Sequence, residues 1–387
     1  MLNIHALSGS SRNMKTCPDE SQDQIPCFLA MKAKTTGMTE RATKCHSLPE
    51  RWHELSSALQ AGLSGGVQSV FELKEKILRS AIIVCFSIII SLMVLNPNYA
   101  FAKKIRVITT STDLKSIAEF IGGDRVKVEN ITKGYQNPHI VDPKPSYMLK
   151  LNKADLFVKV GLDLELWAQL LEEGARNPRI RFGSPGYVDA SIGVKLLEIP
   201  QTRIDRSLGD IHVFGNPHYW LDPLNGKIIA HNILEGLKRI SPENTNYFEE
   251  NKRLFDKELD THLVKWLEKM KPYYGTNVIA YHKTWPNLAK RFGINIVDYV
   301  EPKPGISPSP AHIANLIKRM RIEDIKLIIK EPYYESKVPN FISSKTGARV
   351  LTLPTSVEGV SGIKDYFGLF DFIINELINA FKESPSP

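Results

Sequence analysis

A rhythm of short β-rich runs and amphipathic stretches, interrupted once by a long helical pattern, most constrains what this chain can fold into. Residues 105–109, 126–131 and 154–160 are rich in β-branched and apolar side chains. Between and after them, residues 114–121, 146–152 and 164–173 carry helical spacing, the first closed by Gly122-Gly123. Such βα alternation builds a parallel sheet covered by helices. Ser241-Pro242 then offers a cap followed by proline at the first helical position. Phe248, Phe255, Leu259, Leu263, Leu267 and Met270 follow at helical spacing. This pattern is roughly 30 residues long, against about 11–12 for an ordinary helix. Its apolar positions hold no strict heptad, which argues against a coiled coil. The rhythm resumes with strands over 278–281, 294–300, 325–329 and 350–353. The expected fold is therefore α/β. Two lobes, 103–240 and 273–387, each with a parallel sheet flanked by helices, are joined by one long rigid helix over 241–272.

The N-terminal region reads differently. An apolar run over 81–95 follows Lys74, Lys76 and Arg79, is broken by Asn96 and Pro97, and precedes Ala100-Phe101-Ala102. This is the three-part pattern of a secretory signal, and the run falls short of the ~20 residues that a membrane span needs. Residues 71–102 are expected to be a cleaved signal peptide, with a retained anchor as the alternative. Residues 1–70 are polar and show no sustained periodicity, so they are expected to be a non-native or disordered leader extension. Cys17, Cys27, Cys45 and Cys85 all precede the cut after Ala102. The mature chain therefore has no disulfide and no thiolate, and any metal site in it must use imidazole and carboxylate. The net charge of +8 is scattered and interleaved with acids, which leaves no electrostatic footprint for nucleic acid.

Beyond the cut lie His139, His212, His218, His231, His262, His282 and His312. His231 and His262 fall in helical patterns, and His312 opens a helix after Ser309-Pro310, so all three read as structural. His139 lies in the loop beyond the second strand, His282 directly follows a strand, and Glu331 ends another. In open α/β sheets, ligands bind outside the carboxyl ends of strands. His218 stands in an irregular segment rich in turn residues, with His212 a few positions upstream. His139, His218, His282 and Glu331 would make a four-coordinate site suited to zinc. Magnesium or calcium calls for oxygen ligands, and manganese for additional carboxylates. Spacing alone leaves separate structural histidines as an equal alternative.

Three segments carry more than spacing: Asn137-Pro138-His139; Asn216-Pro217-His218-Tyr219-Trp220-Leu221-Asp222-Pro223; and Tyr281-His282-Lys283-Thr284-Trp285 with Phe292-Gly293. Through them, residues 103–382 resemble the metal-binding extracytoplasmic solute-binding proteins of zinc and manganese ABC importers. The resemblance implies that His139, His218 and His282 bind a metal ion in the cleft between the lobes. It implies a monomeric, non-enzymatic receptor, periplasmic or otherwise extracytoplasmic, that captures zinc, or else manganese, for an importer permease. Many relatives place an aspartate near the end of the last strand, where this chain has Pro354. Glu331 is expected in its stead, then Glu358, then water. The histidine-rich acidic loop of many zinc-binding members is missing between Gly174 and Asp210. A surface adhesin of the same fold is the competing function. A zinc-dependent hydrolase ranks lower, since the sequence places no general base beside the histidines.

Overall fold

The computed structural model describes residues 50–95, 103–200 and 212–383. The chain divides into two compact units, Met1–Pro97 and Asn98–Pro387. In the first, helix α1 (Glu50–Leu95) runs through part of the expected leader and into the expected signal. The sequence reading expected no helix before residue 71. Trp52, Leu55, Leu59, Leu63, Val67 and Val70 recur at three- and four-residue spacing, a helical period that the Ser- and Gly-rich composition masks. Ile82, Ile83, Val84, Phe86, Ile88 and Ile89 are all exposed. Among the described residues no helix is long and apolar enough to cross a membrane. The expected cleavage segment, 96–102, and the leader up to residue 49 lie outside the described residues.

The second unit holds two four-stranded parallel sheets. The first contains β1 (Ile105–Thr109), β2 (Val126–Asn130), β3 (Leu156–Lys159) and β4 (Tyr187–Asp189) in the order β2-β1-β3-β4. The second repeats that order with β5 (Asn277–Ala280), β6 (Asn295–Tyr299), β7 (Leu327–Lys330) and β8 (Arg349–Thr352), arranged β6-β5-β7-β8. Strand β4 was not expected, because three residues are too few to show a period. Helix α2 (Thr112–Gly122) follows β1; Ser111 Oγ caps it by accepting from Leu114 N, and Leu114, Ile117, Ala118 and Ile121 form its buried face. Helices α3 (Pro145–Asn152), α4 (Ala168–Ala175) and α5 (Gly226–Ile240) complete the first sheet's surroundings. Helix α4 begins later than the pattern suggested, because Gly161, Leu162 and Asp163 all have positive φ and form a turn first.

Helix α6 (Thr245–Met270) is the long helix expected from the sequence, with its ends tightened into 3-10 turns at Pro242–Asn244 and Lys271–Tyr273. It is followed by α7 (Pro286–Phe292), α8 (Pro310–Ile322), α9 (Lys337–Thr346) and α10 (Tyr366–Glu383). The last of these returns to pack on α6 and α2. Phe255 of α6 meets Phe120 of α2 and Phe367 of α10, each with ring centroids 5.3 Å away. Successive strand residues face opposite sides of a sheet. Val107 and Val158 thus join a single buried cluster that extends through α6 to Ala280 and Ile329 of the second sheet. Ile108 and Phe157 instead face a smaller outer cluster, as do Ile279 and Ile328 in the other lobe.

Polar contacts fix the two lobes to each other. Val357 O accepts from Thr112 Oγ1 at 2.6 Å, and Val357 N donates to Asp113 Oδ1 at 3.0 Å. Trp220 Nε1 donates to Thr355 O at 2.8 Å, and Tyr366 OH donates to Trp220 O at 2.6 Å. Arg291 grips Asp222 through two nitrogens at 2.6 and 2.8 Å. Gly134 has no room for a side chain, since a Cβ there would lie 2.0 Å from Val357 O.

Asp113 is buried, and its second oxygen has no hydrogen-bond partner. Burial raises its pKa from 3.8 to about 7 against the pull of the Val357 amide. The native state therefore holds a proton that the unfolded chain loses near pH 3.8, so this group costs stability as pH rises from there to about 7. At about 1.4 kcal/mol per unit the cost is roughly 4 kcal/mol above that window. Asp113→Asn keeps an acceptor for Val357 N and removes the titration. Urea denaturation between pH 4 and pH 8 should show a flatter stability profile for Asp113→Asn and a higher midpoint than the parent at pH 8.

Candidate metal centre

Each of the three expected histidines is held by a separate local device. In the loop after β2, Asn137 Oδ1 accepts from His139 N at 3.0 Å, and Trp167 Nε1 donates to Pro138 O at 2.9 Å. Both bonds hold the single peptide unit between Pro138 and His139, on the N-terminal side of the imidazole. His218 precedes a 3-10 turn, Tyr219–Leu221, whose three residues are all buried. Asn216 Oδ1 accepts from His218 N at 2.9 Å and lies 3.2 Å from His218 Nδ1. The same amide's Nδ2 donates to Lys283 O and to Glu198 Oε2, both at 2.8 Å. Lys283 follows His282, so one asparagine ties the His218 segment to the His282 segment. His282, just past β5, has its Nδ1 only 2.6 Å from Glu301 Oε2, and both residues are buried. The other Glu301 oxygen accepts from Gly305 N at 3.0 Å.

These bonds settle the tautomers. His282 Nδ1–H donates to Glu301 and His218 Nδ1–H to Asn216, which turns the Nε2 lone pair of each ring toward the cluster. His139 Nε2 lies 2.9 Å from His218 Nε2; it carries the shared proton in the absence of an ion, and that proton moves to Nδ1 when Nε2 ligates. One ligand atom from each of His139, His218 and His282 lies within 4.8 Å of the other two. Tetrahedral zinc at about 2.0–2.1 Å from each nitrogen holds its ligands about 3.3 Å apart. The His139–His218 pair needs to open by only a few tenths of an ångström to admit the ion. Burial holds the pKa values of His139 and His218 well below 6.5, and the neighbouring imidazoles push in the same direction. Both rings are thus neutral, the state in which imidazole binds a metal.

The carboxylate candidates fare differently. Glu331, one residue past β7, is fully buried, and neither oxygen has a hydrogen-bond partner. Burial raises its pKa to about 7, opposed by the His282 imidazole. Its oxygens do not join the group of atoms within 4.8 Å. Glu358 is half exposed and paired with Lys115 Nζ at 2.9 Å. The sequence reading also passed over two neighbours of the site. Glu301 lies in a proline-rich segment, Glu301 to Pro310, and nothing local marks it as a partner of His282. His212 stacks on His139 with ring centroids 5.0 Å apart and planes 28° apart, and lies 6.4 Å from His218. Its place just upstream of the Asn216-Pro217-His218 segment was the one available signal. Away from the site, His262 stacks on Phe367, His312 Nε2 lies 2.9 Å from Tyr299 O, and His231 is exposed on α5.

If Glu301 sets the His282 tautomer, Glu301→Ala should weaken zinc binding by about 10–100-fold, the range typical of lost outer partners. Glu301→Gln retains an acceptor for Nδ1–H and should lose less. Competition against a chelating dye measures both, and equal affinity in the alanine variant and the parent would remove Glu301 from this role.

Comparison with known proteins places the chain in a family. The sequence pattern described as zinc-uptake complex component A, periplasmic, matches residues 107–380. The high-affinity zinc uptake system protein ZnuA of Bacillus subtilis (strain 168) is 26% identical over 285 residues, covering 73% of this chain and 88% of its own length. The iron-binding protein YfeA of Yersinia pestis is 28% identical over 312 residues, covering 77% of this chain and 94% of its own. Among solved structures, a zinc-bound deletion mutant of ZnuA shares the fold with a TM-score of 0.61 at 23% identity, covering 74% of this chain and 100% of that one. The chain belongs to the zinc-uptake complex component A family of periplasmic proteins.

Proposed function

We propose that this protein captures a transition-metal ion outside the cytoplasm and delivers it to the membrane permease of an ABC importer. The observation that carries the reading is the convergence of His139, His218 and His282 within 4.8 Å, drawn from both lobes. Neutral nitrogen donors favour zinc over manganese, whose preference runs to carboxylate oxygen. Glu331 is the proposed fourth donor. Two buried, unpartnered carboxylate oxygens beside His282 are costly, and a nearby cation would offset that cost. Reaching the ion requires its side chain to rotate from its present position. Export through a cleaved signal over 71–102 rests on the basic stretch, the apolar run and Ala100-Phe101-Ala102 in sequence. A monomer suffices, since all the proposed ligands come from one chain. The names of the relatives favour capture and delivery over adhesion or hydrolysis.

Isothermal titration of the chelator-stripped protein should give one zinc per chain, bound more tightly than manganese. His218→Ala should lose at least about 100-fold in affinity, as removal of a direct ligand exceeds the effect of an outer partner. Glu331→Gln should lose about tenfold if the carboxylate completes the site, and an unchanged affinity would leave water in that position. N-terminal sequencing of the native protein should begin at Lys103. A peptide from residues 1–60 in the exported protein would overturn the proposed signal.

A further inference from the structure

The four imidazoles around the site are ordered in depth. His218 and His282 are buried, whereas His139 and His212 are each partly open to solvent. The ring contacts follow the same order. His212 stacks on His139 at 5.0 Å, and His139 in turn faces His218 at 5.0 Å and His282 at 5.8 Å. His212 is more distant from His218, at 6.4 Å, and is not a member of the group of ligand atoms within 4.8 Å. It is carried by a turn, with His212 O accepting from Gly215 N at 3.3 Å, that leads directly into the Asn216 anchor of His218. A histidine placed outside the ligand set, against its most accessible member, contributes little to holding a bound ion. It is well placed to take one on.

We propose that His212 is an entry ligand. It binds the incoming ion together with His139, replacing part of the hydration shell, and the ion then passes inward to His218 and His282. The proposal rests on the three-histidine reading of the site. The path is stepwise: water leaves as each nitrogen binds, and the His212–metal bond breaks as the inner nitrogens complete the site. Because His212 is free of the ion at both ends of the path, it changes the barrier and leaves the equilibrium alone. By microscopic reversibility, removing it must slow association and dissociation by the same factor.

Stopped-flow mixing of the purified protein with zinc gives the association rate, and a chelator chase gives the dissociation rate. Trp220, whose ring lies 5.4 Å from that of His218, is a built-in fluorescent reporter. His212→Ala removes the imidazole, while His212→Phe keeps a ring on His139 without a ligating nitrogen. Both variants should show association and dissociation slowed together by about tenfold or more, with Kd within about threefold of the parent. Unchanged rates in both variants would overturn the proposal. Faster dissociation with a weaker Kd would also overturn it, by making His212 a permanent ligand. Parental rates in His212→Phe alone would reduce His212 to a spacer that orients His139. If the parent itself failed to bind zinc saturably, the receptor reading would fall first; parental binding with unaltered variants sinks only the entry role.

Discussion

The backbone around Val357 sets the register between the lobes, and the metal site depends on it. Its carbonyl accepts from Thr112 and its amide donates to Asp113, both at the start of α2. The same carbonyl occupies the space that a side chain at position 134 would need, so the loop leading to His139 lies directly against the second lobe. Three imidazoles from two lobes can meet within 4.8 Å only if that register is held. The continuous buried cluster through α6 supplies bulk cohesion, and the hydrogen bonds supply position. Hydrophobic burial is non-directional and cannot by itself choose between nearby registers.

Electrostatics around the site follow from burial. The imidazoles of His139 and His218 are kept neutral because a charged ring would lose its hydration. The same desolvation raises the pKa of Glu331 beside His282 and of Asp113 at the lobe contact. Where a carboxylate is needed as an acceptor, as at Glu301, it has two donors of its own in His282 and Gly305. The cluster thus has one satisfied carboxylate behind His282 and one unsatisfied carboxylate, Glu331, beside it.

Much of this was legible in the sequence. Seven of the eight strands announce themselves as β-rich runs, since parallel strands buried on both faces need apolar side chains throughout. The long helix shows itself by six apolar positions on one face. His139, His218 and His282 could be picked out because each lies at a strand end or in a turn-rich segment. What remained hidden depends on distance across the fold. Strand β4 is held by pairing with β3 rather than by its own pattern. Helix α10 returns to α2 through tertiary contacts, including a bond from Tyr366 N to Ser116 Oγ. Glu301 and His212 gain their meaning from rings that are far from them in sequence, and no local spacing encodes that approach.

Asn216 joins two properties that are usually discussed apart. Its oxygen fixes the tautomer of His218, and its nitrogen is bonded to the carbonyl of Lys283 beside His282. A hinge motion that separates the lobes must stretch the Asn216–Lys283 bond before it can draw the two imidazoles apart. The amide that keeps one lone pair aimed into the cluster thus also spans the two lobes, so the basicity of His218 and one of the bonds between the lobes share a single side chain.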